Sequence, residues 1–428
     1  MKKILKNTIF VLSLIILLGF SAQTTFAYSI TSFGATGTNP YGITIDGVGN
    51  IYNANYTSNN VTKITPAGVS TILGTTGTHP EGIAIDGVGN IYTANSSSTD
   101  VSKITPAGVS TILGNTGSYS YPIDVTIDGA GNIYTANTNA NNVSKITPAG
   151  VSTIFGTTGS TPYAITIDGA GNIYTANFYA NNVTKITPAG VSSVLGTTGS
   201  YPADITIDTF DNIYTANFFS NDVTKITPAG VSTILGTTGI HPQGITIDGV
   251  GNIYTANSGS NNVTKITPAG VSTVLGTTGT FPYGITTDGS GNIYITNATA
   301  HNVTKITNPT ITEITPVPTP IVVGNPLTYT FNTNSAGTIT YGGSCGSVTA
   351  SAIVGDNTIT FDPLPVGTYP NCTIIVTDSF GPSNTLAVSS FTITAFIVPL
   401  PVVRPPWTKR CSKDLSTWCL SFSRSRVY

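Results

Sequence analysis

Charged and sulfur-containing side chains are scarce in this sequence. Only 8% of its 428 residues are charged, arginine first occurs at Arg404, and cysteine first occurs at Cys345. The sequence has no Cys/His zinc spacing, no phosphate-binding glycine loop and no nucleophile elbow. These absences argue against zinc, nucleotide and serine-hydrolase sites, and they leave threonine, serine, asparagine and glycine to keep the surface soluble.

Basic residues do not cluster before the C-terminal end. Residues 28–308 contain seven lysines, no arginine and thirteen acidic residues, a formal charge of −6. The lysines, from Lys63 to Lys305, all occupy one position of an internal repeat. Charge spread in this way argues against nucleic-acid binding, which needs a basic patch or stripe. After residue 27 no apolar run is long enough to span a bilayer.

A unit of about 40 residues fills most of the chain. Its anchor aspartate recurs every 40 residues, or after 42 where Ser118 to Tyr121 is inserted. The anchors are Asp46, Asp86, Asp128, Asp168, Asp208, Asp248 and Asp288. The first unit has no helical periodicity and four strand-like runs, which are Gly42–Asp46, Asn50–Asn55, Asn60–Thr65 and Val69–Gly74. Four antiparallel strands per unit predict the blade of an all-β propeller, and seven units predict a seven-bladed ring.

The ends of the repeat predict how the ring closes. The seventh unit stops at Asn308 without a fourth run, whereas Tyr28–Gly37 matches the fourth run of the first unit, Gly68–Gly77. We therefore expect strand Ser29–Gly34 to complete the blade that begins at Tyr283. Such pairing joins the first and last units and removes an exposed sheet edge.

Four other segments flank the predicted propeller. Residues 1–27 have the basic start, apolar run and small-residue end of a secretory signal peptide. Residues 309–326 contain five prolines and predict a stiff linker. Residues 327–396 have the alternating strands of a small β-sandwich, and residues 397–428 form an irregular basic tail.

The predicted sandwich resembles the immunoglobulin-like modules of bacterial surface proteins through Val366–Gly381. Cys345 and Cys372 lie within it and can pair in an oxidising compartment, where a bridge would stabilise so small a core by about 3 kcal/mol. With Cys411 and Cys419 in the tail, three connectivities are possible from sequence.

The repeat itself resembles known propeller families. Pro80–Asn95 and Asp100–Gly108 look like NHL-type repeats, and they are similar to the blades of the virginiamycin B lyase family and of gluconolactonase-like propellers. The resemblance implies a propeller that is either a binding module or an enzyme. Enzymes of this kind hold a divalent metal and acid–base residues at one mouth of the central channel, with a catalytic histidine in the lyases and a Glu/Asn/Asp metal site in the lactonases. The histidines present are His79, His241 and His301.

Strand order assigns the connections of each unit to two faces. The Asp-Gly-x-Gly-Asn and Thr-Pro-Ala-Gly turns hardly vary and lie on one face, which we call the turn face. The second–third loops and the loops between units lie on the other, the loop face, and they carry the differences among copies. We interpret the turn-face aspartates as turn-formers rather than calcium ligands. Diversity on a rigid scaffold is typical of a binding surface, and drift in unneeded loops is the alternative.

The loop face is rich in aromatic residues that suit stacking on sugars or docking a protein, with packing between blades as the alternative. The predicted ligand-binding rim is Tyr41, Tyr121, Tyr163, Phe178, Tyr179, Tyr201, Phe218, Phe219, Phe281 and Tyr283. The catalytic candidates are His79 and His241, which equivalent loops place obliquely across one mouth, and Glu81.

The sequence therefore predicts a secreted or cell-surface, bacterial binding protein without a cofactor, which takes an extracellular glycan or protein ligand. It predicts a monomer with no nucleic-acid partner and no membrane span in the mature chain. The competing hypothesis is a metal-dependent lyase or lactonase with one divalent cation in the central channel.

Overall fold

The computed structural model describes residues 30–307, 310–377, 383 and 385–396. All regular structure in these ranges is β-strand, as predicted. No helix within them is long and apolar enough to cross a membrane. The predicted signal peptide, the basic tail and the cysteines Cys411 and Cys419 lie outside the described residues.

Residues 30–306 form seven four-stranded sheets. We number them 1 to 7 in chain order, from the sheet whose first strand begins at Pro40 to the one whose first strand begins at Pro282. Sheets 1 to 6 each use four consecutive strands, and sheet 7 takes the first strand of the chain as its fourth. The strands are β1 (Ile30–Ala35), β2 (Pro40–Ile45), β3 (Ile51–Asn55), β4 (Asn60–Ile64), β5 (Ser70–Thr75), β6 (Pro80–Ile85), β7 (Ile91–Asn95), β8 (Asp100–Ile104), β9 (Ser110–Asn115), β10 (Pro122–Ile127), β11 (Ile133–Asn137), β12 (Asn142–Ile146), β13 (Ser152–Thr157), β14 (Pro162–Ile167), β15 (Ile173–Asn177), β16 (Asn182–Ile186), β17 (Ser192–Thr197), β18 (Pro202–Ile207), β19 (Ile213–Asn217), β20 (Asp222–Ile226), β21 (Ser232–Thr237), β22 (Pro242–Ile247), β23 (Ile253–Asn257), β24 (Asn262–Ile266), β25 (Ser272–Thr277), β26 (Pro282–Thr287), β27 (Ile293–Asn297) and β28 (Asn302–Ile306).

The core lies between neighbouring sheets. All five side chains of β3 are buried, because successive side chains of a strand point to opposite faces and both faces are covered here. Tyr52 and Ala54 of sheet 1 pack with Ile91 and Ile104 of sheet 2. The pattern recurs around the repeat, so each sheet buries the next and none has a complete core of its own.

The sheets close into a ring. The first strands of successive sheets contact one another, and β26 of sheet 7 contacts β2 of sheet 1. In sheet 7, β1 pairs antiparallel with β28, from Ile30 opposite Ile306 to Ala35 opposite Asn302. The Thr296 hydroxyl also donates across this seam to the Tyr41 carbonyl, at 2.7 Å. The pairing predicted for the N-terminal strand is therefore observed, and the architecture is a β-propeller.

Each turn-face aspartate is held by donors from its own turn. Asp46 Oδ1 accepts the N–H groups of Val48 at 3.1 Å and Asn50 at 2.8 Å, and Oδ2 accepts Asn50 Nδ2 at 2.7 Å and the Tyr52 hydroxyl at 3.0 Å. Burial alone would raise the pKa of Asp46, but these hydrogen bonds lower it below its ordinary value. Equivalent bonds hold the other six anchors. The geometry is that of the predicted turn-formers.

A second group of strands follows. They are β29 (Ile311–Thr315), β30 (Ile321–Val322), β31 (Thr328–Thr333), β32 (Gly337–Gly342), β33 (Ser351–Ala352), β34 (Gly355–Thr360), β35 (Gly367–Tyr369), β36 (Thr373–Thr377), β37 (Leu386–Ala387) and β38 (Phe391–Thr394). They form the sheets β29-β31-β34, β30-β38-β35 and β33-β32-β36-β37 around one hydrophobic core. Cys345 and Cys372 form the expected disulfide within that core, with Cα atoms 5.3 Å apart.

The prediction of a stiff linker over residues 309–326 is wrong. β29 lies inside this segment and pairs with β31, and Ile311 and Val317 are buried in the same core as the strands that follow. The prolines after Thr315 do not interrupt β29, because they stand beyond its last residue. Four of the five residues of Ile311–Thr315 are β-branched, which favours a strand, but the five prolines of the segment favoured a linker.

Candidate functional site

The backbone of the loop face is held rigidly between neighbouring sheets. The residue before each fixed proline has a positive φ of 54° to 60°. These residues are Asn39, His79, Tyr121, Thr161, Tyr201, His241 and Phe281. Except at Tyr121, their N–H groups bond to the side chain that ends the preceding second–third loop, as His79 N does to Asn59 Oδ1 at 2.8 Å. A left-handed backbone at a residue other than glycine costs about 1–3 kcal/mol and persists only where the surroundings fix it.

A cavity of about 200 Å³ lies at the centre of the ring. All seven first strands line it with their N-terminal halves, which directly follow the loop-face loops, so the cavity sits at the loop-face end of the channel. Its polar lining includes Glu81, Asp124, Asp204, Tyr163 and Tyr283. Three carboxyl groups therefore face one small space at the centre of the ring.

Glu81 is the second residue of β6, the first strand of sheet 2, and is only 7% exposed. Burial, together with the charge of Asp124, raises its pKa to about 7, although hydrogen bonds from Ser96 and Tyr121 oppose the shift. This carboxyl group therefore exchanges its proton near neutral pH, where an acid–base group is most useful.

Asp124 and Asp204 replace a glycine or alanine of the repeat. Asp124 accepts the N–H groups of Val125 at 2.8 Å and of Ile165 in the next sheet at 2.9 Å. Asp204 makes the equivalent bonds, including one from Ile245 N at 2.8 Å. Both groups lie deep in the ring yet keep part of their surface open to the cavity. Burial raises the pKa of Asp124 to about 6, and burial with the charge of Asp124 raises that of Asp204 to about 8.

This donor set does not fit a divalent metal. Both oxygens of Asp124 and both oxygens of Asp204 already accept backbone N–H groups. In the part of the chain that the structure describes, no three His, Cys, Asp or Glu side chains are grouped so that they could hold a metal ion.

The structure does not bring the two candidate histidines into the cavity. His79 stacks on Tyr56 with ring centroids 4.3 Å apart, and its Nδ1 lies 2.7 Å from Ser97 Oγ. His241 stacks in the same way on Phe218, also at 4.3 Å. Each imidazole thus packs on an aromatic ring of the preceding sheet. Of the three catalytic candidates, only Glu81 lies in the cavity lining.

Several aromatic residues of the predicted rim pack between sheets. Tyr283 stacks on Tyr41 at 4.3 Å, Tyr41 on Tyr56 at 4.8 Å, and Tyr56 on His79. This pile of four rings runs from sheet 7 across the closing seam to sheet 2, and its ring faces cover one another. Tyr121 bonds to Tyr56 and Glu81 beneath it. These residues match the packing alternative rather than a free binding surface.

Other rim residues remain open to solvent. Tyr179 and Phe219 are each 63% exposed and stand edge-on to Tyr201, with centroids 5.8 Å and 5.6 Å away. Tyr201 in turn stacks on Phe178 at 4.9 Å. Three further rim residues are less exposed. Phe281 is 38% exposed, and Phe218 is stacked against His241. Tyr163 turns inward and bonds with Tyr283. Among the predicted rim residues, the most exposed rings therefore lie on sheets 4 and 5, while Tyr119, which is not one of them, is 88% exposed in the loop before sheet 3.

The sequence reasoning did not include Asp124 and Asp204 in the site. Their signal was available, because a carboxylate stands where the other copies have glycine or alanine. This position of the repeat faces the axis of the ring, where a side chain is buried. An aspartate in place of glycine or alanine at this position could therefore have indicated the cavity.

The comparisons with known proteins agree with the fold. The family model described as Virginiamycin B lyase family matches residues 23–221, and one described as Beta-propeller repeat matches residues 272–301. Virginiamycin B lyase from Staphylococcus aureus superposes with a TM-score of 0.59 at 19% identity, over 66% of this chain and 99% of that one. The chain is a β-propeller. No curated protein matches its sequence.

Two other solved propellers have a similar fold. The WD40 β-propeller domain of Doa1 gives a TM-score of 0.56 at 8% identity, over 66% of this chain and 97% of that one. The extracellular domain of a hybrid two-component system from B. thetaiotaomicron gives 0.51 at 13% identity, over 87% of this chain and 57% of that one. At these identities the likeness shows the fold alone.

Proposed function

We propose that this chain is a secreted or cell-surface binding protein that uses the loop face of a seven-bladed β-propeller to bind a glycan or a protein. The observation that carries the proposal is the contrast between the two faces. Every turn-face aspartate makes the same four hydrogen bonds. The loop face differs from sheet to sheet and exposes Tyr179 and Phe219 on a backbone held in place by bonds between sheets.

The rest of the chain fits the same proposal. The seven sheets are its blades, and β1 closes the ring. Residues 311–394 form an immunoglobulin-like sandwich that spaces the propeller from its attachment, with a disulfide that suits an oxidising compartment. Residues 1–27 direct export. The protein acts as a monomer without a cofactor, a nucleic-acid partner or a membrane span in the mature chain.

A second function has one observation in its favour. Perturbed carboxyl groups cluster at active sites, and Glu81, Asp124 and Asp204 share one cavity with raised pKa values. Catalysis there would be of the lyase or lactonase type, and the match to the Virginiamycin B lyase family supports this alternative. The cation that such enzymes use finds no suitable donor set here, and the histidines lie outside the cavity, so binding is the better-supported function.

The test uses the purified mature protein on glycan and protein arrays. We expect a ligand whose binding is lost when the second–third loops of sheets 4 and 5 are replaced by that of sheet 3, Thr138–Asn141. Phe210 is 79% exposed on the turn face, so Phe210→Ala is the control and should bind normally. Binding that survives the loop replacement and is lost in the control would contradict the proposal. Turnover of an array ligand, abolished by Glu81→Gln, would favour the enzyme.

A further inference from the structure

The exposed aromatic pair of sheets 4 and 5 occupies one position of the repeat. Tyr179 and Phe219 are the second residues of equivalent second–third loops. The other five copies have Thr57, Ser97, Asn139, Gly259 and Thr299 at this position. Large rings therefore replace small or polar side chains in two adjacent sheets and nowhere else in the ring. Neither ring fills the core, because both are 63% exposed.

The pair forms one continuous surface with Tyr201. The rings of Tyr179 and Phe219 both stand at steep angles to that of Tyr201, 83° and 72°, while one face of Tyr201 is stacked on Phe178. Their loops are fixed before any ligand arrives, since Phe219 N donates to the Ser200 carbonyl at 3.1 Å and Phe218 N to the Tyr201 carbonyl at 2.8 Å. A surface that is already ordered loses little conformational entropy when it binds.

The surroundings of this surface are polar and contain one carboxyl group, that of Asp222, which is only 8% exposed and accepts Asn217 Nδ2 at 2.6 Å. Residues 177–181, 197–201 and 217–221 contain no acidic or basic side chain. The lysines of the two sheets lie elsewhere, Lys185 over the Tyr174 ring at 5.4 Å and Lys225 over Tyr214 at 5.6 Å. Both tyrosines bond to turn-face aspartates through their hydroxyls. The charge available to a ligand on this part of the loop face is therefore close to zero.

Aromatic rings set among amide and hydroxyl groups match one ligand chemistry. The C–H face of a pyranose is apolar and packs on an aromatic ring, while its hydroxyl groups need hydrogen-bonding partners at the edge. Ser220 and Asn221 lie beside Phe219 and are held in place by internal bonds, since Ser220 Oγ accepts Ser200 N at 3.1 Å and Asn221 Oδ1 accepts His241 N at 2.7 Å. What they can offer a ligand is therefore donors, the Ser220 hydroxyl hydrogen and an Nδ2 hydrogen of Asn221. A protein-binding centre would instead be a desolvated patch enriched in methionine and arginine as well as aromatic residues, and these loops contain neither.

We propose that Tyr179, Tyr201 and Phe219 form a subsite for a neutral carbohydrate chain, with a sugar ring packed against the exposed aromatic faces. This inference rests on the proposed binding function of the loop face. It adds the class of ligand and places the subsite on sheets 4 and 5, not on the stacked rings of the closing seam.

The repeat supplies the substitutions for a test. Tyr179→Asn and Phe219→Thr introduce the residues that sheets 3 and 7 carry at the same position, so the double variant keeps a loop that this fold already accepts. The probes are neutral cello-, manno- and chito-oligosaccharides, with polygalacturonate and hyaluronan as charged comparators. Binding is measured by glycan array and then by calorimetry on the mature protein, and Phe210→Ala serves as the exposed aromatic control on the opposite face.

We expect the parent and the Phe210→Ala control to bind a neutral oligosaccharide equally well. The double variant should bind it at least tenfold more weakly, a loss of about 1.4 kcal/mol. Neutral-glycan binding that the double variant retains would overturn the inference. So would a parent that binds only a charged glycan or only a protein through the loop face, a result that leaves the proposed function standing. A parent that binds no glycan and no protein on the arrays would refute both.

Discussion

The channel carboxyl groups make the stability of this protein depend on pH in an unusual direction. The pKa of Asp204 is raised from 3.8 to about 8, so the folded protein holds a proton that the unfolded chain releases. The free energy of unfolding therefore falls as the pH rises from 3.8 to about 8. Below pH 3.8 the stabilising contribution of Asp204 is complete. A shift of this size on an isolated carboxyl group would correspond to about 6 kcal/mol at about 1.4 kcal/mol per pKa unit.

The expected effect is smaller than this limit. Asp204 is partly open to the cavity and titrates together with Asp124, so the protons belong to the pair and not to one residue. The parent should lose free energy of unfolding when the pH is raised from 5 to 8. In Asp204→Ala, which copies Ala164 of sheet 4, we expect this loss to be smaller by about 2 kcal/mol. Comparing the two pH values cancels any loss that does not depend on pH, such as the bonds to Ile205 and Ile245.

The assay is urea unfolding of the parent and the variant at both pH values, followed by circular dichroism. The control is Asp211→Gly, which removes an acid from the turn face and restores the glycine of the other repeats. The control should keep the pH dependence of the parent. If Asp204→Ala changes the unfolding free energy equally at pH 5 and pH 8, the carboxyl group is ionised at both values and the reasoning is refuted.

Three other predictions concern the fold. Gly42→Ala should destabilise the propeller by about 1–3 kcal/mol, because a Cβ atom would clash with the Glu81 carbonyl of the neighbouring sheet; Gly47→Ala, where an added Cβ meets nothing within 4 Å, should melt like the parent. Deleting residues 30–35 should expose the edge of β28 and give dimers or a lower, less cooperative melt, and a monomer that melts like the parent by light scattering and calorimetry would contradict the closure. Mutating Cys345 and Cys372 to serine should destabilise the second group of strands by about 3 kcal/mol, and unchanged urea unfolding of that group would show that the bridge is not needed.

The repeat made the fold predictable and the site only partly so. The strand bounds of the first unit agree with the predicted runs to within two residues, because the turns around Asp46 and Pro66 end the strands at marked positions. Side-chain direction was not predictable in this way. Tyr41 and Tyr179 both belong to loop-face aromatic positions, yet one is stacked between sheets and the other exposed. That difference depends on which ring the neighbouring sheet supplies, and the pattern of one unit does not contain it.

The two candidate functions occupy different parts of the ring, and this makes them separable. The carboxyl cavity is lined by Glu81, Asp124 and Asp204, which differ from the usual residues of the repeat and belong to sheets 2, 3 and 5. The exposed aromatic surface is formed by Tyr179 and Phe219, which replace small or polar residues of the repeat in the loops of sheets 4 and 5. Because every sheet repeats one backbone, each departure can be returned to the residue of another copy without redesigning the fold. A ligand that depends on Tyr179 and Phe219 but not on Glu81 would identify a binder whose channel acids affect only stability. The reverse dependence would mean that the acids, and not the aromatic surface, are the functional part of the ring.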